Sequence, residues 1–134
     1  MALEQLESYV KLVRDLQDSG LLYQCLLDYG KNIPTDIDIR TQSNYVNGCQ
    51  SQVWITGKCD KDRWTFTFDS DAIMVKGLGK IVLETYNGLT AEQIQSISFH
   101  QFKPLAVTLS TQRQRGLQAI INKIHTITRT GATQ

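Results

Sequence analysis

The sequence predicts an α+β domain in which a short antiparallel sheet of about three strands packs against helices from both ends of the chain. Three observations predict it: apolar residues recur at helical spacing near both termini, the middle of the chain holds two strand-like runs, and glycine-containing turns separate these segments. The chain has 134 residues, the length of one ordinary domain. We therefore expect a single domain over residues 1–134.

Two helices are predicted at the start of the chain. Residues 3–17 carry apolar side chains at three- and four-residue intervals, which indicates an amphipathic helix, and the Ser-Gly pair at 19–20 ends it. Residues 21–31 continue with a second helix, which Gly30 and Pro34 close.

The middle of the chain predicts a hairpin. Residues 35–43 are polar, lack a helical period and are expected to form a loop. Residues 52–56 are typical of a strand, and residues 57–62 are expected to form a turn. Residues 63–69 alternate, with three aromatic side chains on one face and threonines on the other, which is typical of a strand with one covered face.

Helices are predicted again after the hairpin. The Ser-Asp pair at 70–71 can cap a helix over 72–86, and a Thr-Ala-Glu-Gln capping box opens a short helix at 90. A last helix starts near 110–111 and buries Leu117, Ile120, Ile121, Ile124 and Ile127. The tail, 129–134, is expected to fray.

Charge and composition exclude several classes of function. A formal net charge of +1 does not favour nucleic acid or an anionic membrane as the main partner. No apolar run approaches the roughly 20 residues that span a bilayer, and the first residues lack a secretion signal. The three cysteines, Cys25, Cys49 and Cys59, argue against a disulfide framework. We expect a soluble protein of the cytoplasm, or of the equivalent compartment of an organelle.

Cys49 is the strongest candidate for chemistry. The Asn47-Gly48 pair before it permits a sharp turn with positive φ, and the polar residues 50–52 after it suit a solvent-facing loop. An exposed thiol near backbone N–H groups or basic side chains ionises more readily and becomes a nucleophile. The alternative is that Cys49 is a small buried residue that caps a strand.

Several segments around these features resemble one family. Residues 48–55, Gly-Cys-Gln-Ser-Gln-Val-Trp-Ile, are similar to the active-cysteine segment of the SufE family, the sulfur acceptors that serve cysteine desulfurases. Residues 70–78 and 109–117 resemble two further family motifs in the same order, and residues 30–34 resemble its Gly-x-x-Leu-Pro turn. The resemblance covers about residues 5–127. One departure is Gln112, where the family usually has serine.

The resemblance implies a SufE/IscU-like fold and a persulfide carrier. A SufS/CsdA-like cysteine desulfurase, with its own pyridoxal phosphate, would place sulfur on Cys49. Cys49 would pass it to an iron–sulfur scaffold such as a SufBCD-like complex. The chain would stimulate the desulfurase without being a stand-alone enzyme, and would need no cofactor or metal of its own, no nucleic acid and no membrane.

Other matched residues are candidates for loop support or partner docking. Asp71 is expected to cap the third helix, and its functional interpretation is that it also tethers the Cys49 loop until a partner releases it. Lys76 and Arg113 either lower the pKa of Cys49, dock an acidic patch on the desulfurase, or are solvated surface charges. The full candidate set around Cys49 is Gly48, Gln50, Gln52, Asp71, Lys76 and Arg113.

The remaining cysteines and histidines receive simpler interpretations. Cys25 is expected to be a buried structural thiol, and Cys59 to be exposed in the hairpin turn without a role. His100 and His125 are too far apart in sequence to indicate a ligand set.

Three rival functions stay open. An iron–sulfur or zinc scaffold would need three or four converging ligands, and the chain has no CxxC pair. A non-catalytic adaptor would stimulate the desulfurase by docking alone. A role in tRNA modification, known in a branch of the same family, is the third.

Overall fold

The fold is α+β, as the sequence predicts, in a computed structural model that describes residues 2–19, 21–107 and 109–131. Two 3₁₀ turns, Ile37–Ile39 and Gln42–Asn44, precede the sheet. The main elements are α1 Ala2–Ser19, α2 Leu22–Lys31, β1 Val53–Asp60, β2 Arg63–Ser70, α3 Ile73–Tyr86, α4 Ala91–Ser96, α5 Phe99–Ala106 and α6 Thr111–Thr130.

The sheet is an antiparallel hairpin of β1 and β2, in which Ile55 pairs with Phe68. The predicted turn over 57–62 was wrong, because β1 continues through Asp60. Lys61 and Asp62 alone form the turn, with φ of 51° and 67°. About three strands were expected, whereas the described part of the chain has two, to which Tyr45 adds an isolated antiparallel bridge to Trp54.

Gly57 explains why the strand does not stop where a glycine suggests a turn. A Cβ at Gly57 would lie 2.9 Å from the Phe66 ring, so the missing side chain lets that ring cover the strand. The alternation predicted for β2 is confirmed: its three aromatic side chains, Trp64, Phe66 and Phe68, are buried and Thr65 and Thr67 are exposed.

The core lies between one face of the hairpin and the helices α3 and α6. The predicted apolar face of α6 is confirmed, since Leu117, Ile120, Ile121, Ile124 and Ile127 are all buried. At roughly 25 cal/mol per Å² of apolar surface, such side chains contribute most of the favourable free energy of folding. This burial packs α6 against the core, beside the loop that precedes β1.

Two glycines let α2 and α3 pack backbone against backbone. A Cβ at Gly77 would stand 2.2 Å from the Leu26 carbonyl oxygen, and one at Gly30 would stand 2.0 Å from the Ile73 carbonyl oxygen. Neither position admits a side chain without moving a helix. This contact fixes the start of α3, which carries part of the candidate site.

The predicted helices at both ends are confirmed, and one helix was missed. In α1, Leu6 is buried, whereas the side chains of Val13 and Leu16 lie outside the described residues. The Thr90 capping box of α4 is confirmed. The missed helix, α5, opens with a second capping box between Ser98 and Gln101 and has Pro104 inside it.

Further expectations concern the break after the first helix, the C-terminal tail and membrane spans. Residue 20 of the Ser-Gly break and residues 132–134 of the tail lie outside the described residues, and α6 continues to Thr130. None of the helices in the described residues combines the length and the hydropathy that a membrane span requires.

Candidate functional site

The loop that carries Cys49 is closed at its base. The Val46 N–H donates to the Val53 carbonyl oxygen at 2.8 Å, which brings the two ends of loop 47–52 together. Gly48 has a φ of 98°, so the positive-φ turn predicted at Asn47-Gly48 is confirmed. The turn directs the next residue, Cys49, back toward the body of the protein.

The thiol of Cys49 is turned inward, so of the two positions considered from the sequence the buried one describes it better. Gln50 beside it is exposed, but Cys49 is partly buried and packs against the core cluster. Its Sγ lies 3.7 Å from the Gly116 carbonyl oxygen of α6, to which it donates. Sequence could not foresee this contact because its partner is 67 residues away.

Burial also sets the acidity of this thiol. Desolvation raises the pKa of Cys49 from 9.0 to about 11. Neutral pH therefore leaves the resting thiol almost entirely protonated, and a protonated thiol is a poor nucleophile.

A cavity of about 150 Å³ lies beside Cys49, between its loop, the start of α3 and the first turns of α6. We call it the thiol pocket. Its wall is apolar on the core side and polar near solvent, where Gln50, Ser51, Ser110, Gln112 and Arg113 lie. The apolar wall is formed by Ala72, Met74, Val75, Leu78, Leu117 and Ile120, with Gly116 beside Cys49.

The prediction that Asp71 caps α3 was wrong, and the structure gives it the other role considered. The N-cap is Ala72, without a side-chain hydrogen bond. The Asp71 carboxylate instead accepts from the Gln52 N–H at 3.0 Å. The Gln52 carbonyl accepts from the Ser70 hydroxyl at 2.7 Å and from the Asp71 N–H at 3.3 Å. We call these three bonds the Gln52 clamp; it fixes the end of the Cys49 loop to the start of α3.

Lys76 lies in a buried ion cluster and is not among the residues that line the thiol pocket. It is 8% exposed; its Nζ lies 3.3 Å from Asp69 Oδ1 and donates to the Thr35 hydroxyl at 3.1 Å. Arg40 Nε lies 2.7 Å from Asp69 Oδ2. Such a buried, paired ammonium does not suit docking, so we assign Lys76 to support of the fold.

Asp69 was missed by sequence reasoning. Burial opposes its ionisation, but hydrogen bonds from Arg40, the Ser70 N–H and Lys76 outweigh burial and hold the pKa of Asp69 below 3.8. A signal was present: Asp69 ends an alternating strand and directly precedes the two residues of the Gln52 clamp. The ion cluster therefore anchors the segment that holds the Cys49 loop.

Arg113, which belongs to the last matched motif, lines the thiol pocket. Its Nη2 lies 3.7 Å from Met74 Sδ across the pocket, and its backbone N–H donates to the Ser110 hydroxyl that caps α6. Arg113 is partly exposed, so its guanidinium borders both the thiol pocket and solvent.

The remaining cysteines and the two histidines are separate from this site. Cys25 is partly buried on α2, and Cys59 is exposed on β1, where a turn was expected. His100 is exposed, whereas a ring nitrogen of His125 bonds the Ile97 carbonyl oxygen at 2.7 Å. Among the described residues, no three His, Cys, Asp or Glu side chains form a group that could hold a metal ion.

The chain is similar to proteins of one family. A family model described as "SufE: Fe-S metabolism associated domain" matches residues 7–128. The chain is 34% identical over 117 residues to "SufE-like protein 1, chloroplastic/mitochondrial" of Arabidopsis thaliana, which covers 84% of this chain and 32% of that protein. It is 37% identical over 110 residues to an uncharacterized SufE-like protein of Rhizobium meliloti, covering 76% of this chain and 79% of the relative.

A solved structure confirms the fold independently of close sequence similarity. The solution structure of a hypothetical protein from Thermus thermophilus superposes with a TM-score of 0.75 at 20% identity, over 94% of both chains. The match to the family model spans nearly all of this sequence. The chain belongs to the SufE family, whose domain is associated with iron–sulfur metabolism.

Proposed function

We propose that this protein is a sulfur acceptor and carrier, which takes persulfide sulfur from a cysteine desulfurase onto Cys49 and passes it on for iron–sulfur cluster assembly. The observation that carries the proposal is the position of Cys49: a thiol at a positive-φ turn, beside a cavity, on a loop held by side-chain bonds that can be broken. Family membership supplies the class of partner.

The transfer is an exchange between sulfur atoms. The Cys49 thiolate attacks the terminal sulfur of a persulfide on the desulfurase. A bond forms between Cys49 Sγ and that sulfur, the sulfur–sulfur bond of the donor breaks, and the donor cysteine leaves as a thiolate. No electrons are gained or lost overall. The same exchange, with Cys49 as the leaving thiolate, delivers the sulfur to the next acceptor.

The closed loop must open for this attack. In-line displacement needs a clear line to Sγ, which is partly buried and held against Gly116 in the resting protein. We propose that the desulfurase breaks the Gln52 clamp and so releases Cys49, and that Arg113 contacts an acidic patch on that partner. Stimulation of the desulfurase follows from removal of its persulfide.

The proposal also covers the cofactor, the acceptor of the sulfur and the cellular location. The exchange needs no cofactor on this chain, and the pyridoxal phosphate belongs to the desulfurase. A SufBCD-like scaffold is the proposed acceptor of the sulfur. The cytoplasm, or the stroma or matrix of an organelle, is the proposed location.

Mass spectrometry of the protein after mixing with a cysteine desulfurase and L-cysteine tests the proposal. We expect a gain of one sulfur atom that peptide mapping assigns to Cys49. Cys49→Ser should lose both this gain and the stimulation of the desulfurase, whereas Cys59→Ser, which changes an exposed thiol outside the site, should keep both. Full stimulation by Cys49→Ser would instead indicate an adaptor that acts by docking alone.

A further inference from the structure

We propose that Gly116 is the residue that makes room for the transferred sulfur, so that the thiol pocket holds a persulfide on Cys49 while the loop is closed. This inference rests on the proposed function and deepens it by assigning a positioning residue. It concerns how the loaded protein keeps its cargo, a step that acceptance from the donor does not by itself explain.

Gly116 has no reason in the helix itself to be glycine. It lies inside α6, where glycine costs roughly 1 kcal/mol relative to alanine. Its backbone does not adopt a positive φ. Because glycine lowers helix stability here without a backbone reason, a neighbouring group must need position 116 to carry no side chain.

The surroundings of Gly116 identify that requirement. A Cβ built there would have one atom within 4 Å beyond its own helix, Cys49 Sγ at 3.7 Å, and would otherwise meet open space. Gly77 differs, because its Cβ would collide with backbone at 2.2 Å. Glycine at 77 serves helix packing, whereas glycine at 116 leaves space free beside the thiol and within the wall of the thiol pocket.

A methyl group at position 116 leaves enough room for the Cys49 thiol but too little for a persulfide on Cys49. A separation of 3.7 Å is ordinary van der Waals contact for Sγ, so Gly116→Ala should keep the resting site. The persulfide adds a second sulfur about 2.05 Å from Sγ, on a residue that already packs against the core cluster. The methyl group would occupy part of the space for the terminal sulfur. That sulfur would then turn toward solvent, where thiols in solution can attack it.

The test compares loaded proteins. Wild type, Gly116→Ala and the control Gln118→Ala, an exposed position on the same helix, are loaded with a cysteine desulfurase and L-cysteine and separated from them. Dithiothreitol is then added, and loss of the Cys49 persulfide is followed by mass spectrometry. We expect Gly116→Ala to lose its persulfide about fivefold faster, the factor that accompanies a side chain forced off a favoured rotamer, and Gln118→Ala to match wild type.

Two further measurements make the result decisive. Gly116→Ala should melt at the same or a higher temperature than wild type, and iodoacetamide should alkylate its unloaded Cys49 at the wild-type rate. An equal persulfide lifetime in Gly116→Ala and wild type would overturn the inference. Failure of Gly116→Ala to load, with normal alkylation of its thiol, would support it. Failure of wild type to load would overturn the proposed function instead.

Discussion

Removal of the Asp71 carboxylate should release the Cys49 loop and raise the reactivity of its thiol. The perturbation is Asp71→Ala, which deletes the acceptor of the Gln52 N–H and leaves the Ser70 hydroxyl on the Gln52 carbonyl. The loop then keeps part of the clamp, so the protein should stay folded while the open state becomes more populated.

The structure sets both the size of the effect and its ceiling. The lost bond lies at the surface, and such a bond contributes about 1 kcal/mol, which corresponds to about a fivefold larger open population. Opening also removes the burial that holds the pKa of Cys49 at about 11 instead of 9.0. Two pKa units correspond to about a hundredfold difference in thiolate at pH 8, which is the most that the change in ionisation alone can contribute.

Alkylation with iodoacetamide at pH 8, resolved by peptide mass spectrometry, measures the effect. The exposed Cys59 of the same molecule is the internal reference, so the rate of Cys49 is expressed relative to it. We expect this ratio to rise about fivefold in Asp71→Ala and less in Asp71→Asn, whose amide oxygen still accepts a hydrogen bond. Asp38→Ala, at an exposed position in the 3₁₀ turn Ile37–Ile39, should leave it unchanged. An unchanged ratio in Asp71→Ala would refute the tether.

Three other predictions follow from the same structure. The alkylation rate of wild-type Cys49 should still rise with pH beyond 9 and reach half its limit near 11, whereas in urea the midpoint should fall near 9, as pH–rate profiles would record. Gly77→Ala should lower the free energy of unfolding by about 3 kcal/mol in urea titrations, because its Cβ would collide with the Leu26 carbonyl oxygen; wild-type stability would contradict this contact. Asp69→Asn should cost about 3 kcal/mol at pH 7 because Arg40 loses its charged partner. The pKa of Asp69 is lowered in the folded protein, so the stabilisation by its carboxylate is complete above pH 3.8 and is lost as pH falls through the lower folded value. If Asp69→Asn lowered the free energy of unfolding equally at pH 7 and at about pH 2 in urea titrations, this prediction would be contradicted.

The elements that sequence predicted correctly depend on local patterns. The alternation that ends in Phe68, the apolar period of α6 and the Asn47-Gly48 turn all involve neighbours within a few residues, so their physics is written in short stretches of sequence. The prediction of where β1 ends was wrong for a related reason. Gly57 is locally a turn residue, but a ring on the partner strand makes use of its missing side chain.

From the sequence, some residues of the site could be named, but their arrangement could not. Asp71 and Arg113 do lie around the Cys49 loop, but the orientation of the thiol depends on Gly116, which no local pattern connects to it. The ion cluster of Arg40, Asp69 and Lys76 joins three separate segments, so no local pattern could reveal that Lys76, a candidate for docking, pairs with the other two.

Access and activation of Cys49 are controlled by a single feature of the closed loop. Desolvation is the cause of its raised pKa, and the buried ammonium of Lys76 is paired with Asp69 instead of with the thiol. At pH 8 a pKa of about 11 leaves about one thiol in a thousand ionised. Opening of the loop removes that burial and, in the same motion, clears the path to Sγ. We infer that a partner needs to supply no separate base: a surface that competes for the Gln52 clamp converts a protected thiol into a reactive one, and its departure restores the protection.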